Sequence, residues 1–306
     1  MSPLTVSSLS RGELGHRLGG SGVVFRTGLF TVRLGSRLPA IADGVELLYA
    51  DYPLADDAEF IDFEIGVDAP SWLRRWLRPK IVFTFDGYEP FLPTPSNQAI
   101  VVFEWGFNWS IATTAHHYLV IHSGAVELNG RAAILPALPG SGKSTLCAAM
   151  VHRGWRLLSD EMALVSMADG RIDPLARPVS LKNESIEVIR RFAPEAVISP
   201  PTPDTAKGTV ALMKAPTASV VRKREPATPA WIIFPKFQRD APARLEPRSK
   251  ADTFLEIGEN AFNYSVHGRR GFETLGDMID ACDCFDLAYG DLDEAIGILS
   301  ALATGG

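Results

Sequence analysis

The stretch LPALPGSGKSTLCAAMVHRGWRLLSDEMALV, residues 135–165, constrains this chain more than any other. An apolar run ends in a Gly-rich turn, and Gly-Lys-Ser-Thr then opens a helical pattern. Strand, loop and helix in that order are what a phosphate-binding loop requires. Gly140 and Gly142 allow consecutive backbone amides to turn inward around an anion. Lys143 has the reach for the β- and γ-phosphates, and the Ser144 hydroxyl suits a Mg²⁺ ion carried by the nucleotide. The helix that follows adds its N-terminal dipole to the same place. Pro139, Gly140, Ser141, Gly142, Lys143, Ser144 and Thr145 are therefore the expected nucleotide site. Ala137 stands where the usual signature has its first glycine, and a small residue can begin the turn.

The next acid comes unusually soon. The helix from Lys143 to Arg153 ends at Gly154, which suits a left-handed cap, and WRLLS returns as a strand. Asp160 then lies at the C-terminal end of that strand, where α/β folds bind their ligands. A carboxylate there can ligand Mg²⁺ or take a proton from an attacking hydroxyl. The plainer alternative is a solvated strand cap. His122, in VIHSG, lies on the strand two before the loop, which would set it beside the phosphate site; a satisfied core histidine is the competing reading.

The remaining pattern sets the architecture. Residues 1–22 are rich in Ser and Gly and read as loosely ordered. Residues 23–95 alternate short β-type runs with Gly, Asp and Pro breaks, which reads as a small β-rich N-terminal domain. Within it PSWLRRWLRP sets Trp72, Leu73, Trp76 and Leu77 on one face of a short helix. Residues 96–306 read as an α/β catalytic domain, entered through a helix that breaks near Gly106. Asn129-Gly130 marks a hairpin turn. The Pro-, Thr- and Ala-rich stretch 194–229 reads as mobile loops of the kind that cover active sites, around a possible strand GTVALMK.

Several motifs together resemble a known family. VIHSG, LPGSGKST and RGWRLLSDE resemble the HPr kinase/phosphorylase family. RPVSLKNESIEVIR, KGTVALMKAP, FNYSVHGRRGFETL and YGDLDEAI are similar to stretches of its HprK-related kinase A group. The resemblance implies an HPr kinase/phosphoenolpyruvate carboxykinase-like P-loop domain and ATP- and Mg²⁺-dependent phosphorylation of a serine in a peptide or protein. It makes Asp160 the proton-accepting carboxylate, His122 its partner, Lys143 the phosphate lysine, and Ser144 with Glu161 the metal side. Glu161 stands where the family has a second aspartate. Ser180 stands where it has a metal-binding glutamate, and Lys182 where it has an arginine. Lys182, with Arg269 and Arg270 of HGRRG, would meet phosphate or acceptor carboxylate.

Composition narrows the alternatives. With 30 basic and 36 acidic residues the formal charge is −6, against binding nucleic acid through bulk charge. No apolar run has the length of a membrane span, so the expectation is a cytoplasmic protein without membrane contact. Cys147, Cys282 and Cys284 make no disulfide framework. A small-molecule kinase acting on a hydroxyl substrate, and a nucleotide-binding regulatory scaffold without transfer, stay open. So does a homo-oligomer.

Overall fold

The computed structural model describes residues 4–56, 59–70, 79–138 and 140–305. Pro139 and the amphipathic segment holding Trp72, Leu73, Trp76 and Leu77 lie outside these residues. Among the described residues the chain is a mixed α/β fold with four sheets.

The first sheet runs in sequence order through β1 (Val23–Thr27), β2 (Phe30–Gly35), β3 (Phe63–Asp68), β4 (Lys80–Phe85) and β5 (Thr94–Pro95). Its inward residues are β-branched or aromatic, among them Phe25, Val32, Ile65 and Phe83, all buried. Two helices precede or interrupt it, α1 (Arg11–Gly19) and α2 (Pro39–Leu48). The expectation of a loosely ordered residue 1–22 segment is corrected for its described part, residues 4–22. Ser10 caps α1, accepting from the Glu13 amide, and the Glu13 carboxylate accepts the Ser10 amide at 2.8 Å. That capping box, with Leu14 and Leu18 buried, outweighs the helix-weakening glycines.

Helix α3 (Ala99–Thr114) is continuous rather than broken at Gly106. A Cβ on Gly106 would lie 2.2 Å from the Phe83 ring, so the glycine allows α3 to approach β4 closely. Three strands follow: β6 (Tyr118–Ile121), β7 (Ser123–Leu128) and β8 (Arg131–Pro136). Asn129 and Gly130 join β7 to β8 with φ of 54° and 79°, the positive values a two-residue type I′ turn demands. After α4 (Lys143–Val151) the chain forms β9 (Arg156–Ser159), β10 (Ala163–Ser166), β11 (Ile172–Asp173) and β12 (Val179–Lys182). Helix α5 (Glu184–Phe192) leads to β13 (Thr202–Thr205), β14 (Gly208–Met213) and α6 (Thr217–Val221). Last come β15 (Thr228–Phe237), β16 (Arg244–Pro247), α7 (Lys250–Asn260), α8 (Tyr264–Ala281), β17 (Asp283–Tyr289) and α9 (Leu292–Thr304).

The largest sheet has the order β16-β17-β15-β8-β7-β9. β8, β15 and β17 are parallel, so all three deliver their C-terminal ends to one edge. A smaller sheet, β12-β14-β13, contains much of the segment read as mobile loops. The strand expected at GTVALMK is there as β14, but residues 202–213 form a packed hairpin rather than open loops: Val210 to Met213 are buried and pair with β12. One hydrophobic core runs from Val6 to Ala303, and α3 contributes Val101, Val102, Phe103 and Phe107 to it.

Candidate active site

The loop after β8 is held in shape from the neighbouring parallel strands. The Phe237 amide donates to the Ser141 carbonyl at 2.9 Å, and the Tyr289 hydroxyl donates to the Gly142 carbonyl at 3.2 Å. Gly140 and Gly142 have φ of 87° and 92°. A Cβ on Gly142 would meet the Tyr289 hydroxyl oxygen at 2.5 Å, so glycine is required there for conformation and for space. Lys143 begins α4 and is buried, as is the Ser141 hydroxyl, and neither Lys143 Nζ nor Ser141 Oγ has a hydrogen-bond partner within the protein. Ser144 and Thr145 occupy the first helical turn, whose amides have no intrahelical acceptor.

Asp160 directly follows β9 and is 4% exposed. Its Oδ2 accepts the Ser180 amide at 3.1 Å, whereas Oδ1 has no protein partner. Glu161 sits differently. Its Oε2 lies 3.2 Å from His122 Nε2 and its Oε1 lies 3.3 Å from Lys182 Nζ. His122 follows β6 and is fixed by its own backbone. Its amide donates to the Asn260 carbonyl at 3.1 Å, and Asn263 bridges the Val120 amide and the Tyr118 carbonyl. The sequence-based pairing of His122 with Asp160 is therefore corrected: the histidine pairs with Glu161.

The two adjacent carboxyls are driven apart in pKa. Burial and the Glu161 charge raise Asp160, against Lys143, the Ser180 amide and Lys182. Burial also opposes ionisation of Glu161, but the His122 hydrogen bond and the charges of Lys143, Lys182 and Lys207 outweigh it and hold that carboxyl well below its usual range. One acid kept anionic beside another raised towards proton uptake is how neighbouring carboxylates divide labour.

Of the expected residues, Lys143, Asp160, Glu161, His122 and Lys182 share this neighbourhood, with Gly140, Ser141, Gly142, Ser144 and Thr145 in the loop. Arg269 and Arg270 do not join them. Arg269 bonds Glu273 at 2.7 Å on the surface of α8, and Arg270 donates to the Met167 carbonyl at 3.1 Å. Lys207 was missed by sequence reasoning. It comes from the β13–β14 turn, its ammonium lies 5.0 Å over the Trp105 ring, and its pKa is lowered, first by burial. The KGTVALMK run was its signal, but only the pairing of β14 with β12 directs it here.

The donor set fits a metal ion held largely by a nucleotide. Ser144 and the free Oδ1 of Asp160 are available, while Glu161, expected as a ligand, already has both oxygens engaged. Among the described residues no group of three or more His, Cys, Asp or Glu side chains could hold a metal by itself.

No family model matches this chain, and no curated protein matches it. Among solved structures it is similar to the Hpr(Ser) kinase/phosphatase from Coxiella burnetii, at 11% identity and a TM-score of 0.28, over 61% of this chain and 99% of that one.

Proposed function

We propose that this protein transfers the γ-phosphate of ATP to the serine hydroxyl of a peptide or protein acceptor, with Mg²⁺ bound alongside the nucleotide. One observation carries the reading. A buried lysine ammonium without a partner is costly in free energy, and here it stands at a glycine-shaped loop beside a divided carboxyl pair. An anionic ligand at the loop offsets that cost.

The residues then take distinct roles. Loop amides and Lys143 bind and orient the phosphates, and Lys182 and Lys207 add positive charge around Glu161. Ser144 and Asp160 would hold the metal, which neutralises charge on the phosphate oxygens. Asp160, raised towards proton uptake, accepts the proton of the acceptor hydroxyl. Glu161 stays anionic and fixes His122 and Lys182. Positioning and charge neutralisation supply most of the rate in such transfers.

The test is incubation of purified protein with cell extract and γ-labelled ATP, followed by mass spectrometry of the labelled species, with Lys143→Ala as the control. Label on serine of a protein, lost in Lys143→Ala, is the expected result. Label on a small metabolite would replace the acceptor class, and no transfer despite nucleotide binding would leave a binding scaffold.

A further inference from the structure

A small cavity of about 20 Å³ lies between α3 and the strand ends that carry Asp160 and Ser180. Its walls include Glu104, Trp105, Asn108, Asp160, Arg177 and Ser180. Four of these carry a buried polar atom with no hydrogen-bond partner in the protein: Trp105 Nε1, Arg177 Nε, Ser180 Oγ and Asp160 Oδ1. Glu161, also in the wall, is engaged by His122 and Lys182. Arg177 gives its terminal nitrogens to Asn108 Oδ1 at 2.6 Å and Glu104 Oε2 at 2.6 Å. The remaining Glu104 oxygen accepts from the Tyr49 hydroxyl.

The chemistry of the four groups selects the occupant. Trp105 and Arg177 can only donate, Asp160 in its anionic form can only accept, and Ser180 can do either. An anion would face the carboxylates of Asp160 and Glu104. A cation would face two N–H donors. A water molecule accepts twice and donates twice, and a space of roughly 10–15 Å³ is enough to hold one.

We propose that this cavity holds one fixed water that accepts from Trp105 Nε1 and Arg177 Nε and donates to Asp160 Oδ1, with Ser180 as its fourth partner. With the Ser180 amide on Oδ2, both Asp160 oxygens are then anchored, and each keeps a lone pair for a ligand. Trp105 and Ser180 become positioning residues for Asp160. Arg177 ties the same water to Glu104 on α3 and Tyr49 on the N-terminal side. The positioning role rests on the kinase reading above, whereas the water site itself does not.

The test is an atomic-resolution crystal structure of the wild-type chain, with Trp105→Phe and Ser180→Ala as variants. The phenylalanine keeps one aromatic ring near Lys207 and removes the N–H together with the rest of the second indole ring. Density for one water within hydrogen-bond reach of Trp105 Nε1 and Asp160 Oδ1 is expected in the wild type. A dry cavity there would overturn the assignment. In each variant the rate of label transfer from γ-labelled ATP to the acceptor fraction of cell extract should fall about tenfold, the worth of one hydrogen bond to a charged group. The KM for ATP should stay unchanged. Full transfer rates in both variants would overturn the positioning role. If the wild type transfers no label, the kinase reading fails by itself, and positioning is judged by whether Asp160 leaves the Ser180 amide in the variant crystals.

Discussion

At the scale of single residues the site turns on which acid does what. Asp160→Asn keeps shape and loses charge and proton uptake, so transfer should fall about 10²- to 10⁴-fold, the usual range for a general base. Metal-free nucleotide affinity, measured by calorimetry, should change little, while the Mg²⁺ affinity should fall. A fully active variant would remove Asp160 from the chemistry. His122 and Glu161 should behave as a unit, because their side chains meet at 3.2 Å. In a double-mutant cycle, His122→Ala and Glu161→Gln should therefore show a coupling of about 0.5–3 kcal/mol in transfer-rate free energy. Additive losses would break the pair. Lys143 and Asp160 were legible in the sequence because a loop signature and one helix of spacing place both at a strand edge. The partner of His122 was not, since adjacent acids differ in direction and only the backbone around Asn260 and Asn263 settles which one the ring meets.

At the scale of elements, periodicity and turn chemistry found β7, β8, α4 and β9, whose signals are local. It failed where a neighbour overrides a local rule. Gly106 reads as a helix break in isolation, yet it is where α3 makes room for Phe83. Gly106→Ala should cost about 1–3 kcal/mol, the usual price of overpacking a filled core, as a lower urea midpoint. An unchanged midpoint would mean that the Phe83 ring yields freely. Within 194–229 the GTVALMK strand was legible, whereas its pairing with β12 was not, because that contact is long-range in sequence. The capping box of α1 was present in SRGE from the start and was hidden by the glycines around it.

At the scale of the whole molecule, one buried ion pair joins the N-terminal half to the site. Arg177 and Glu104, about 6% and 5% exposed, bond at 2.6 Å, and the Arg177 guanidinium also stacks 4.0 Å over the Phe107 ring. Removing one partner strands a buried charge, so Glu104→Ala should cost about 3–5 kcal/mol in a denaturation experiment. A loss below about 1 kcal/mol would show that solvent reaches Arg177 freely. Global stability should also carry a signature of Lys223. Burial, then the charges of Arg26 and Arg224, lower its ammonium to about 8 from 10.5. The folded chain gives up that proton before the unfolded chain does. Protonation therefore opposes folding, and stability contributed by this group rises as pH climbs from about 8 towards 10.5. Lys223→Met should flatten that rise in urea midpoints measured across the interval; an unchanged slope would assign it to another group.

The clasp between Tyr289 and Gly142 spans 147 positions of sequence. On the ribosome, the lysine of the phosphate loop emerges long before the strand that shapes the loop around it. A chain interrupted before Tyr289 thus carries the whole glycine-lysine loop and lacks the hydroxyl that closes on the Gly142 carbonyl. On the nucleotide-binding reading proposed above, chains truncated before Tyr289 should therefore fail to retain ATP, and capture should come late in synthesis.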